Sequence, residues 1–523
     1  MQQLQIDRLV ISANLRSEIV VFLKFCLQVA ILYFYSAHAA LSEEVIWPDE
    51  EIWDVTAIDP VLEPQSATDW YKIVRLNGYI KNETAYRYDE PRSITKIRNI
   101  FALTAEYPVT DHVNLLASAW VYHDLAYQLF DYETIAARFV RDDDKPLVFV
   151  DNLDREKDSA VAAIRELYLD LILDDVDIRI GKQFIIWGVF DGIRITDEIN
   201  PLDFRELVLP DLLDYRVPLW SVKLDYFLRD GDWEFIWIPD IQFHKPAPRG
   251  SEWELLQEVS GVTQTGGAEY HTTYPDSFTL GNSELGFRYK TNMFGAQVGF
   301  SYFHTWDDFP VIFRTIKLDS AEEPDFFPTY TRINIFGTTL VKPVGEKIVK
   351  FELAWIPDKY FGLNRDVDLN GDGFLDGDGV LKLKHFRWGL GVDFNWLGID
   401  FSPAVTQWVI LDYIDGLIQD RNDTSFTLFA RKPLPEDRAV LQLLAIALIN
   451  MNELYLKPKV TFEISNHFKI AFGMDLFYGV RSKFGVSAAS GAVTTLTAIE
   501  QSAQFFGNFH NNDRVFAEFK YNF

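Results

Sequence analysis

Charged side chains of both signs are concentrated in residues 187–216, the stretch of this chain with the richest chemistry. Arginines alternate there with carboxylates: Arg194, Arg205 and Arg216 with Asp191, Asp197, Asp203, Glu206, Asp211 and Asp214. Apolar residues and rigid prolines are interleaved with these charges, so the stretch suits a loop that folds inward and forms ion pairs with its surroundings. An external loop that only packs is the alternative. Charges held at a narrow passage would select among solutes.

A second stretch has the ligand spacing of a calcium loop. Its ligand positions are Asp368, Asn370, Asp372, Phe374 and Asp376. Gly373 stands where such a loop turns sharply, and carboxylate, amide and carbonyl oxygens are the ligands that this hard cation prefers. The last position, usually a bidentate Glu, is Gly379. The sequence therefore predicts a weak calcium site in an extracellular loop, with an Asp/Asn/Gly-rich loop tip as the alternative.

Composition argues against several other kinds of chemistry. The net charge of −28 argues against nucleic acid as a partner, because phosphate binding needs a basic surface. One Cys leaves no CxxC zinc ribbon and no CxxCH haem attachment site. Of the nine His, none lies in an HExxH motif, and no GxSxG nucleophile elbow is present. We therefore expect a protein that is not an enzyme.

Period-two alternation of apolar and polar residues recurs along the chain and predicts strands. In the last segment, Arg514–Phe523, Val515, Phe519 and Phe523 share an apolar face with Ala517 and Tyr521. Similar alternation runs through 220–228, 349–355, 385–396 and 468–478. Such strands fit either a soluble sandwich or a membrane barrel, since each has one apolar face.

The spacing of turns favours the barrel. Short connections, such as those near 174–175 and 397–399, alternate with long polar ones, such as 81–96, 123–160 and 480–511. Short periplasmic turns and long outer loops are typical of porin-type barrels. The sequence thus predicts an all-β fold, a single transmembrane antiparallel β-barrel of 18 strands. A count of 16 is the alternative, because residues 155–172 have partly helical character.

The amino terminus has the pattern of a secretory signal. Basic residues precede an apolar run at 25–35, and Ala37-His38-Ala39 supplies an A-x-A cleavage site. We expect a signal peptide at 1–39, a periplasmic segment at 40–66 and the barrel at 67–523. A short membrane anchor is the alternative to the signal, although the run falls below the roughly 20 apolar residues that span a bilayer.

Residues 181–206 contain a motif of the form GKQ…WG…DGIRI.D..NP.D.RE. This motif resembles an uncharacterised proteobacterial family of outer-membrane barrels, distantly similar to alginate-export-type porins. The resemblance implies a Gram-negative outer-membrane barrel and leaves the substrate open. A final strand ending in Phe523 resembles the signal that the barrel assembly machinery recognises. Expected partners are that machinery, outer-membrane lipid and lipopolysaccharide, and a small-molecule solute.

Alternation also indicates which wall residues face the lumen. Among them we single out Arg179, Lys223, Arg387 and Asp393. Each either contributes to a constriction together with residues 187–216 or forms a routine ion pair of the wall. The strand 439–449 is apolar on both faces, so it covers an inward loop, forms a subunit contact or lines an apolar path.

Two functions of different class follow from these patterns. The first is a porin or channel that passes small solutes, its selectivity set by the inward loop and the lumen charges. The second is a non-conducting scaffold barrel that supports a periplasmic, efflux or electron-transfer partner.

Overall fold

The structure is a computed structural model that describes the greater part of the chain after residue 73. The described residues are 74–130, 135, 159–190, 192–248, 251–253, 274–315, 325–363, 378–434, 438–479 and 505–523. The predicted signal peptide, the predicted periplasmic segment and the predicted calcium loop at 368–376 lie outside these residues, as does Asp191.

Twenty strands, one short α-helix, α1 (Ala126–Leu129), and two 3-10 helices, at Phe204–Glu206 and Phe506–Phe509, form the described elements. The strands are β1 (Arg75–Arg87), β2 (Ser93–Thr110), β3 (Val113–Asp124), β4 (Ala160–Ile172), β5 (Val176–Gln183), β6 (Leu219–Leu228), β7 (Gly231–Ile238), β8 (Glu284–Met293), β9 (Ala296–Trp306), β10 (Val311–Thr315), β11 (Asp325–Thr329), β12 (Arg332–Val344), β13 (Lys347–Gly362), β14 (Val380–Trp396), β15 (Ile399–Ile410), β16 (Asn422–Pro433), β17 (Ala439–Leu448), β18 (Glu453–Glu463), β19 (Phe468–Tyr478) and β20 (Arg514–Asn522).

Eighteen of the strands form one closed antiparallel sheet. Each strand pairs with the next in the chain, β9 pairs with β12, and β20 pairs with β1 to close the ring. Strands β10 and β11 form a separate hairpin within the β9–β12 connection. At the closure, the backbone N–H and C=O of Phe523 bond those of Gly78, each at 3.0 Å. The prediction of an 18-stranded barrel is confirmed, and because β4 is a strand, the 16-strand alternative is wrong.

Short and long connections alternate as predicted, except that 88–92 and 449–452 are short connections at the end with the longer ones. At one end of the ring the chain turns within a few residues, as at 111–112, 173–175 and 397–398. At the other end lie the longer connections, such as 184–218 and 239–283. The prediction of a long connection at 81–96 is wrong, since β1 continues to Arg87 and only residues 88–92 separate it from β2. No helix among the residues that the structure describes is long and apolar enough to cross a membrane.

The two faces of the strands differ in chemistry as well as in exposure. Outward aromatic and aliphatic side chains remain exposed, for example Phe300 at 46% and Trp355 at 40%. Polar residues on the other face are buried, including Glu234 and Glu352. Neighbouring outward aromatics pack across strands, such as Phe336 against Trp355 with ring centroids 5.5 Å apart. An apolar exterior on a closed ring is the arrangement of a barrel that sits in lipid.

A charge on the outer face should therefore be far more costly in mid-strand than at a turn. We expect Leu390→Arg, within β14 and 43% exposed, to lower the free energy of unfolding in lipid vesicles by about 2–4 kcal/mol. Leu397→Arg, in the short turn after β14, is the control and should cost about 0–1 kcal/mol. Equal losses for the two variants in urea titrations would contradict a lipid-facing position for Leu390.

Candidate functional site

Residues 184–218, which connect β5 to β6, form the candidate site and are called here the β5–β6 segment. The only regular structure described in it is a 3-10 helix at Phe204–Glu206, capped by the Asp203 carboxylate. The segment doubles back on itself: the N–H of Asp203 bonds the carbonyl of Tyr215 at 2.6 Å, and Asn200 Nδ2 bonds the carbonyl of Val217 at 2.8 Å. Backbone groups thus find partners without a sheet, so the segment holds a defined shape.

Glu352 of β13 accepts hydrogen bonds from the first half of the segment. The backbone N–H groups of Val189, Phe190 and Thr196 donate to its carboxylate, the last two at 3.1 Å. The hydroxyl of Thr196 adds a bond of 2.7 Å. Because the carboxylate is fully buried and accepts all four bonds, it fixes Val189, Phe190 and Thr196 against the wall.

Two more wall groups hold the segment at other positions on the ring. On β7, Glu234 accepts a bond from Trp187 Nε1 at 2.6 Å, and its other oxygen pairs with Arg288 of β8 at 2.6 Å. On β14, Arg387 Nη1 lies 2.9 Å from Glu198. Burial alone would raise the pKa of Glu198, but Arg387 and other nearby cations outweigh burial and lower that pKa to about 2. Glu198 therefore keeps its charge at neutral pH.

Glu206 attaches the second half of the segment to β2. Its carboxylate lies 2.7 Å from Lys96 Nζ and forms a second ion pair with Arg98. Burial would raise the pKa of Glu206, whereas Arg98 and Lys96 together lower it to about 2. Four strands away around the ring, Lys457 of β18 donates to the carbonyl of Leu209 at 2.6 Å.

The connection after β7 also clamps the segment. The N–H of Leu202 donates to His244 Nδ1 at 2.9 Å, and Lys245 exchanges backbone bonds with Leu202 and Phe204 at 2.9 and 2.8 Å. Since Nδ1 accepts a bond, the proton of the imidazole is on Nε2. Burial lowers the pKa of His244 to about 3, so this side chain is neutral at pH 7.

Apolar packing secures both halves. Ile185, Trp187, Ile195 and Ile199 belong to a buried cluster with residues of β7, β9, β12 and β13. Leu207 and Leu209 belong to a second cluster that includes apolar side chains of β17. Of the three interpretations of strand 439–449, covering the loop from the wall side is therefore the one that the packing supports.

Cavities lie beside the segment at several places, and two of them provide most of the space. The larger, of about 390 Å³, is lined by Tyr79, Ser118 and Arg165 among others, and the smaller, of about 100 Å³, by Lys96, Tyr122 and Glu206 among others. The packed segment thus leaves space along the wall formed by β1 to β4.

The predicted site residues fall into three groups. Asp203, Arg205 and Glu206 line the smaller cavity. Asp197 and Arg216 form an ion pair whose side chains are only 4% and 2% exposed, and Arg194 donates to the carbonyl of Asp197, so these three brace the segment from within. The predicted wall residues form ion pairs: Arg179 with Asp170, Lys223 with Asp225, Arg387 with Glu198 and Asp393 with Lys350.

Several residues that hold the segment were not predicted as site residues, notably Glu234, Lys96 and Arg98. The aromatic side chains at alternate positions 233, 235 and 237 place Glu234 on the other face of the strand, a signal that could have found it. Within the described ranges, no group of three or more His, Cys, Asp or Glu is arranged to hold a metal ion.

Comparison with known proteins gives a likeness of fold only. No family model and no curated protein matches the chain. Among solved structures, OccAB2 of Acinetobacter baumannii is 8% identical with a TM-score of 0.45, over 86% of this chain and 98% of that one. A BenF-like porin from Pseudomonas fluorescens Pf-5 is 7% identical with a TM-score of 0.45, over 86% and 98%. OccK8 (OprE) of Pseudomonas aeruginosa is 8% identical with a TM-score of 0.44, over the same shares.

Similarity at this level carries no argument about function, which has to come from the residues of this chain. The resemblance to alginate-export-type porins, and the motif behind it, are not confirmed by these comparisons. The barrel itself has an even number of antiparallel strands, short turns at one end, longer connections at the other and an apolar exterior. These are the features of a bacterial outer-membrane barrel of the porin type, and the chain belongs in that membrane.

Proposed function

We propose that the protein is an outer-membrane channel for small polar solutes, in which the β5–β6 segment lies in the lumen and narrows it. The observation that carries the proposal is the spread of the segment's contacts. It bonds side chains of β2, β7, β13, β14 and β18, which are distributed around a closed ring. A segment outside the ring would reach only a few neighbouring strands, whereas one inside can reach strands on every side.

The charges on the segment and the wall would then select the solute. Asp203, Arg205 and Glu206 face the smaller cavity, while Arg194, Asp197 and Arg216 hold the shape of the segment that presents them. Fixed charges at a narrow point act on passing ions at short range. The space beside the segment favours a conducting channel over a scaffold barrel.

Planar-bilayer recording tests this function directly. The wild-type protein should give discrete conductance steps, and deletion of residues 190–214 should raise the step size several-fold because the obstruction is removed. Shortening the β15–β16 connection within 412–420 serves as the control and should leave the step size nearly unchanged. No current from either the wild type or the 190–214 deletion would exclude the channel and favour the scaffold.

A further inference from the structure

The two cavities of about 390 and 100 Å³ beside the β5–β6 segment adjoin one another and are called here the two compartments of the route. The larger is lined by Asn77 and Asn522, at the end of the barrel with the short turns, and the smaller by Glu83 and Asp124, toward the long connections. Two residues, Trp120 and Asp214, line both cavities. The compartments therefore meet at these two side chains, where the wall and the segment come together.

Arg165 of β4 sets the geometry of this junction. Its guanidinium stacks over the rings of Trp120 and Phe184, at 4.3 and 4.9 Å from their centroids. It also donates to the carbonyls of Leu213 and Arg216, at 2.5 and 3.2 Å. The residues on both sides of Asp214 are thus tied to the wall, so the position of Asp214 is fixed as well.

Four of the five basic side chains along the route form ion pairs. Lys96 lies 2.5 Å from Glu83 and 2.7 Å from Glu206. Arg205 Nε lies 2.8 Å from Asp203, and Arg98 pairs with Glu206. Arg514 Nε lies 2.8 Å from Asp475 Oδ2. Their charge is largely cancelled by partners within hydrogen-bond distance.

Asp214 differs from these paired side chains because no cation among the described residues is within ion-pair distance of its carboxylate. Its carboxylate is half-buried, lines both compartments and has no hydrogen bond or ion pair within the described part of the chain. Of the cations that act on it from further away, Lys81 is paired with Glu83, whereas Arg165 is bound to backbone carbonyls, which leave its charge in place. In all, seven acidic and five basic side chains line the two compartments. The net charge of the side chains that line the route is therefore negative.

We propose that solutes pass along the β1–β4 wall through the junction of Trp120 and Asp214, and that the Asp214 carboxylate makes the channel prefer cations. This inference rests on the proposed channel function and deepens it. A free carboxylate beside an aromatic face attracts small inorganic cations and organic ammonium ions alike. The same carboxylate repels anions of similar size.

Reversal potentials in planar bilayers under a KCl gradient at pH 8 test the inference. The wild type should favour K⁺ over Cl⁻. Asp214→Asn, which keeps the shape of the side chain, should lower the K⁺/Cl⁻ permeability ratio by about 25-fold, because one unit charge about 4 Å from a passing ion in water favours K⁺ by about fivefold and disfavours Cl⁻ by the same factor. Asp214→Glu should restore the preference, and Asp230→Asn, in the short β6–β7 turn, should leave it unchanged.

The outcomes separate the two proposals. Current with a preference for Cl⁻, or an Asp214→Asn ratio equal to that of the wild type, would overturn cation selection while leaving the channel function intact. The absence of any current from the wild type would overturn the channel function itself. A preference for K⁺ that falls in Asp214→Asn and returns in Asp214→Glu is the expected result.

Discussion

Glu352→Ala is expected to free the first half of the β5–β6 segment and to raise single-channel conductance several-fold. The carboxylate is the common acceptor of the Val189, Phe190 and Thr196 backbone N–H groups and of the Thr196 hydroxyl. Each buried donor left without an acceptor costs about 1–3 kcal/mol, so residues 189–196 should detach rather than stay unpaired against the wall. Conductance in planar bilayers and limited proteolysis of the segment in detergent would both report the release.

Two further variants make this expectation specific. Glu352→Gln retains one acceptor oxygen of the same shape and should release the segment only in part. Glu346→Ala removes an exposed carboxylate from the short turn of the same β12–β13 hairpin, so it should change neither conductance nor proteolysis. If Glu352→Ala conducts like the wild type and is cleaved no faster, the segment is held mainly by its apolar clusters instead.

The barrel could be predicted because the alternation of apolar and polar residues along a strand is a local pattern. In residues 385–396 the order of neighbouring residues alone reveals one apolar face, and the structure places β14 there. Where the rule fails, the reason is physical. The wall at 81–96 carries Lys81, Glu83, Arg87 and Lys96 toward the interior, and these residues are as charged as a loop. Because of this charge, the sequence predicts a connection where β1 and β2 in fact continue.

The pairing of charges in the site could be predicted only in kind. The abundance of both signs at 187–216 indicated ion pairs, and one of them, Asp203 with Arg205, joins residues that are close in the sequence. The partners of Glu206, however, are Lys96 and Arg98, more than a hundred residues earlier in the chain. Which wall charge meets which segment charge depends on the closure of the ring, and no local pattern contains that information.

The buried pair of Asp197 with Arg216 should be the ion pair whose disruption costs most in the segment. The pair joins the two halves of the β5–β6 segment, and Asp197 also accepts a hydrogen bond from the backbone N–H of Trp187 at 3.2 Å. Removing one partner leaves an uncompensated buried charge, so Asp197→Asn and Arg216→Met should each cost about 3–5 kcal/mol. The double variant should recover part of that loss, because no unpaired charge then stays buried. Urea unfolding of the four proteins in vesicles gives the coupling energy.

An exposed ion pair provides the control double-mutant cycle. Lys384 and Asp412 lie 3.1 Å apart with side chains 55% and 66% exposed, and such pairs contribute about 0–1 kcal/mol. Similar coupling energies in the two cycles would show that the pair of Asp197 with Arg216 does not hold the two halves of the segment together.

A large coupling energy for Asp197 and Arg216 would have a functional consequence, because Arg216 lies two residues after Asp214. Separation of the two halves should then also shift the Asp214 carboxylate. The single variants should therefore lose cation preference together with stability.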